Sequence, residues 1–165
     1  MTTRCCEQSE RCTRTSEPCP NGWQDSRKTG PPNPWIALEA RPDLKLVRHR
    51  ISETGRYYDE LRTIVIRDGL LLEEERRYLW HELAHADRRD VAGHNDARVE
   101  RVVERHAIEN AMPWETVRWA WAQSVDLGDM AHLLKLPADW VSRRLQTLHP
   151  AQKAILRAEA IEHFP

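Results

Sequence analysis

The stretch Tyr78-Leu79-Trp80-His81-Glu82-Leu83-Ala84-His85 constrains this chain more than any other. It contains H-E-x-x-H, and on an α-helix residues four apart sit one turn apart on the same face. His81 and His85 can therefore aim imidazole nitrogens at one point, as a tetrahedral metal ion requires. Glu82 follows the first histidine and can reach a water in an open fourth position, where a carboxylate acts as general base.

The flanks support a helix. Glu73-Glu74-Glu75 precede Arg76 and Arg77, the acid-first order that suits the macrodipole at a helix start. Leu79, Leu83 and Ala86 recur at helical spacing and give the segment a face to bury.

Bulk properties exclude several classes. A chain of 165 residues is long enough for one domain with a real core. A net charge of -1 and a pI near 6.7 give no overall basic signature for nucleic acid. No apolar run approaches the ~20 residues of a membrane span, and no signal-peptide pattern is present, so the expected location is cytoplasmic. The cysteines (Cys5, Cys6, Cys12 and Cys19) all lie near the start. Their spacing fits neither a C-x-x-C pair nor a zinc knuckle, and they read as free thiols on a tail.

Residues 1–34 are polar, nearly lack aliphatic residues, and close on Gly30-Pro31-Pro32-Asn33-Pro34. Such composition buries too little apolar surface to offset ordering entropy, so a disordered tail is expected. Residues 35–165 are expected to form one domain, with a sheet and motif helices over 35–112 and a helical lobe over 113–165. Residues 44–51 and the β-branched run Thr63-Ile64-Val65-Ile66-Arg67 read as strands, with Glu53-Thr54-Gly55 as a turn between them. The predicted fold is α+β: a small antiparallel sheet packed on a zincin-like motif helix, then the helical lobe. Asn95 or Asp96 can cap a second helix reaching about Asn110. Pro113 suits the first position of a third, and two or three more helices follow, broken near Pro137 and Pro150. Four of the seven tryptophans fall between Trp114 and Trp140, as a well-packed lobe would need.

A catalytic zinc site needs a third protein ligand. Glu100 shares a helical face with Val103 and Ala107, which should pack inward; Glu104, His94 and His106 are alternatives. Tyr57, Tyr58, His94 and His106 are candidates for stabilising an oxyanion, and Asp87 or Asp90 for orienting a ligand histidine.

These residues resemble the ImmA/IrrE metallopeptidases. That family carries H-E-x-x-H, then a helix of the type E-x-x-A-x-x-F-A commonly ending in Met-Pro. Aligned on Met112-Pro113, the family's ligand glutamate falls on Glu100, its usual alanine on Val103, its aromatic on His106 and its next alanine on Ala107. The resemblance covers roughly residues 40–148. It implies a zinc-dependent endopeptidase with Zn2+ on His81, His85 and Glu100 and with Glu82 as catalytic base. It also implies a protein substrate, a helix-turn-helix transcriptional repressor whose cleavage relieves repression in phage or mobile-element immunity and stress regulation.

Two other readings compete. One is a non-catalytic metal-containing anti-repressor. The other is a DNA-binding regulator, because residues 129–145 look like a helix-turn-helix that would read bases with Ser142, Arg143 and Arg144. Against it, the chain is not basic and the turn lacks glycine.

Overall fold

A computed structural model describes residues 30–90 and 93–163; the expected tail before residue 30, with its cysteines, lies outside the described residues. The fold is α+β. Among the described residues the elements are α1 (Pro34–Glu39), β1 (Lys45–His49), β2 (Gly55–Tyr58), β3 (Thr63–Arg67), α2 (Leu72–Arg88), a 3-10 turn (Gly93–Asn95), α3 (Ala97–Ala111), α4 (Trp114–Gln123), α5 (Leu127–Leu134), α6 (Ala138–Thr147) and α7 (Pro150–His163). Among the described residues no helix is long and apolar enough to cross a membrane.

The sheet corrects the sequence expectation. It is mixed, with strand order β1-β3-β2. β1 runs parallel to β3, with Lys45 opposite Thr63, and β2 runs antiparallel to it, with Gly55 opposite Ile66. The reason is local: the segment expected only as a turn continues into a strand, so the chain reverses twice and β3 enters beside β1 in the same direction. Ile64 and Ile66 of β3 are fully buried, worth ~1.5–3 kcal/mol each. Gly55 and Tyr57 of β2 face the same core, whereas β1 is largely exposed.

Helix α2 packs on β2 and β3 and is flanked by α1 and α3. Glu74 stabilises its first turn by accepting the Leu71 backbone N–H at 3.1 Å. Its end is a left-handed cap at Arg89 (φ 53°), after which the Asp90 N–H donates to the His85 carbonyl. Residues 31–34, expected as the end of the disordered tail, are instead packed: Pro34 is buried at the start of α1 and the Pro32 carbonyl accepts from Arg76 at 2.8 Å. Asp96 caps α3 by accepting from Arg98 and Val99. Pro113, expected at the first position of the third helix, sits one step earlier as the N-cap of α4.

The lobe closes on α3 through α6, with Trp140, Leu134, Leu136 and Met130 almost wholly buried. Lys135 makes the α5–α6 turn with a positive φ of 53°. The Arg144 guanidinium is buried and donates to the Met112 carbonyl at 2.8 Å.

The sheet and α2 meet most closely at Gly55. A β-carbon there would lie 2.9 Å from Glu82 Oε1 and 3.0 Å from Ile66 Cδ1. Gly55→Ala should therefore overpack the β2–α2 contact and lower stability by ~1–3 kcal/mol. The expected readout is a lower urea midpoint at unchanged slope; an unchanged midpoint would show that Glu82 has room to move.

Candidate metal centre

Helix α2 carries His81, Glu82 and His85 on its buried side, with Glu82 and His85 each only 1% exposed. Beside it, α3 buries the small residues Val103 and Ala107 completely. That close approach brings Glu100 and Glu104, four residues apart, over the two histidines. Among the described residues, His81, His85, His94 and Glu100 form the group able to hold a metal ion, with ligand atoms all within 4.8 Å of one another.

The protonation pattern is set from outside the cluster. His85 Nδ1 faces Asp90 Oδ2 at 3.0 Å, and His81 Nδ1 faces Glu104 Oε2 at 3.2 Å. An ionised carboxylate only accepts, so each ring proton belongs on Nδ1 and each Nε2 is left with its lone pair. Those two Nε2 atoms face each other at 3.2 Å. Glu100 brings one oxygen 3.3 Å from His81 Nε2 and the other 3.3 Å from His85 Nε2. Three acceptors thus converge, and Glu100 Oε1 is buried with no hydrogen-bond partner.

Such convergence is repulsive unless a cation sits within it. With metal–ligand bonds of ~2.0–2.1 Å, two ligands of a tetrahedral zinc are ~3.3 Å apart, which matches all three spacings. Burial also lowers the His85 pKa below its ordinary value, favouring the neutral imidazole that a metal needs.

Glu104 is anchored as well as anchoring. Its Oε1 accepts from Trp140 Nε1 at 3.0 Å and from Arg143 at 3.1 Å, and Arg77 lies 3.7 Å away. Burial alone would raise its pKa, but the His81 and Trp140 bonds and the Arg77 charge hold it below the usual carboxylate range. Glu104 thus stands on the far side of His81 from the ligand face. Asp87 is instead held by Arg41 through two 2.9 Å bonds, so of the two aspartates Asp90 is the one that meets a cluster histidine.

His94, in the 3-10 turn, brings Nδ1 to 3.3 Å from Glu100 Oε1 and Nε2 to 3.5 Å from Glu82 Oε1. Its ring stacks on His81 with centroids 5.5 Å apart. The adjacent Glu82 carboxylate pushes its pKa up to about 9 against the effect of burial, and the Glu100 charge adds to this. Glu82 keeps one buried oxygen, Oε2, without a partner. A cavity of about 220 Å³ opens at this point, bordered by Thr54 and Tyr78 as well as the cluster.

The remaining sequence candidates lie elsewhere. The Tyr57 hydroxyl donates to Asp59 at 2.6 Å, Tyr58 is exposed, and His106 is half-buried outside the cluster. Sequence reasoning missed Trp140, Arg77 and Gly55 as supports of the site, since each reaches it through the fold and none belongs to a motif. No family model, curated protein or solved structure matches the chain.

The two orienting carboxylates generate a prediction. Glu104→Gln and Asp90→Asn should each retain the fold and weaken metal binding ~10–100-fold, measured by competition with a chromogenic chelator. Affinities equal to wild type would show that the carboxylates do not set the ring orientation.

Proposed function

We propose that this protein is a zinc-dependent metallo-endopeptidase, with His81, His85 and Glu100 as the metal ligands and Glu82 as the general base. The observation that carries the reading is the pairing of a three-acceptor face at tetrahedral spacing with an unpartnered buried Glu82 oxygen beside it. Two histidines and one carboxylate suit zinc, and three protein ligands leave a position open for chemistry. When bound, the ion would supply a Lewis acid and lower the pKa of a water to ~7.

The chain's own groups account for the proton traffic. Glu82 accepts the proton of the attacking water and passes it to the leaving amine. His94, close to both Glu82 and Glu100, is placed to donate to the oxyanion that develops on the scissile carbonyl. Glu104 and Asp90 hold the ligand rings through their Nδ1 protons. Burial of Glu82 keeps bulk water from competing for its free oxygen.

The resemblance to ImmA/IrrE peptidases supports a single substrate, a helix-turn-helix repressor, over bulk protein. It also supports release of repressed genes as the outcome, in the cytoplasm. DNA reading by residues 129–145 is disfavoured by the commitments of its side chains. Arg144 is buried on the Met112 carbonyl, Arg143 bonds Glu104, and Ser142 accepts from Gln146.

Glu82→Gln should keep about one zinc per chain and lower the cleavage rate ~100- to 10,000-fold. Elemental analysis and a cleavage assay against a co-expressed repressor measure the two quantities. Full derepression by the Glu82→Gln variant would instead support a partner-binding role without cutting.

A further inference from the structure

A second cavity, of about 460 Å³, lies between α3 and α6 and shares Glu100 and Glu104 with the metal centre. Its floor includes the apolar Ile108, and Arg101, Arg105 and Arg143 stand on its walls. All three arginines are exposed. Arg143 is committed to Glu104, whereas neither Arg101 nor Arg105 makes an ion pair with a described residue.

The charge of the groove follows from these commitments. Glu104 is already matched by Arg143 and Arg77, and Glu100 turns its oxygens toward His81 and His85. The unspent charge is therefore the pair of guanidiniums on α3, four residues apart on one helical face. Two adjacent guanidiniums repel each other and present paired N–H donors, which is the pattern that receives a carboxylate.

Distance links the groove to the site. Arg105 is five residues beyond Glu100, ~7.5 Å along the helix axis, and an extended peptide covers that span in about two residues. A peptide bond seated at the metal centre would thus bring a side chain about two residues away against Arg101 and Arg105, with Ile108 beneath its apolar portion.

We propose that the α3–α6 groove is a substrate subsite that selects an aspartate or glutamate side chain about two residues from the scissile bond, with Arg101 and Arg105 as the specificity-determining residues. The proposal rests on the endopeptidase reading for its register. The carboxylate preference itself stands on the groove.

The test uses full-length, zinc-loaded Glu82→Gln protein, in which the proposed cleavage is ~100- to 10,000-fold slower, and two fluorescein-labelled decapeptides of the same apolar sequence. One carries two glutamates two residues from its midpoint and the other two lysines there. Fluorescence anisotropy should show at least ~10-fold tighter binding of the acidic peptide. Adding Arg101→Glu and Arg105→Glu should abolish or invert that preference, and Arg101→Ala with Arg105→Ala should reduce it. Both pairs are exposed, so circular dichroism and zinc content should match the parent. Equal binding of the two peptides, no binding of either, or a preference that survives charge reversal would overturn the subsite. So would tight binding of a labelled 20-base-pair DNA duplex by the same arginines in place of the peptide. A parallel assay of wild-type cleavage separates the two claims. Acid preference without cleavage sinks the peptidase reading and leaves the groove, whereas cleavage without acid preference does the reverse.

Discussion

Three acceptors pressed together within a closed helical interface form the constraint on which this structure depends. Two imidazole Nε2 atoms and a bidentate carboxylate stand 3.2–3.3 Å apart. Were the histidine protons on Nε2, the rings would collide with each other's hydrogens. The carboxylates of Asp90 and Glu104 prevent that by claiming Nδ1. The fold thereby assembles a cluster that could hold a cation, and in such sites the free energy of binding the ion adds to that of folding. Of the three proposed ligands only Glu100 lies off the motif helix, so an ion held there would tie α3 to α2.

Much of this was legible because it is local. H-E-x-x-H places His81, Glu82 and His85 together by helix geometry alone, and Asp96 sets the register of α3 so that Glu100 falls on the same face as Val103 and Ala107. What is non-local was not legible. The mixed sheet depends on a four-residue strand whose first member, Gly55, reads as a turn residue; it is glycine because Glu82 packs against it. His94 sits in a 3-10 turn with no periodicity to mark its direction. The third ligand was open among four residues by spacing alone. In the fold Glu100 and His94 both join the two histidines, Glu104 stands behind one ring and His106 lies outside the group.

The carboxy-terminal lobe shows how a motif can resemble one device and be spent on another. Arg143 and Arg144 in a helix after a short turn look like a recognition helix. In the fold one pairs with Glu104 and the other donates to the buried Met112 carbonyl at the end of α3. Lys135 adopts the left-handed conformation that the turn needs without glycine, at a cost of ~1 kcal/mol, which the burial of Leu134 and Leu136 on either side offsets.

Glu104 joins the lobe to the candidate metal centre. One of its oxygens holds His81, while the other is held by Trp140 and Arg143 of α6. A half-buried carboxylate with only one of these partners would be costly, since its unused oxygen would lose part of its water without replacement. With all of them it is rigid and fixes the ring it touches. Residues 35–112 carry every proposed ligand and the proposed base, yet Trp140 and Arg143, which bond the second oxygen of Glu104, lie outside them. α6 thus contributes to the orientation of His81, through Glu104, as α2 does to its position.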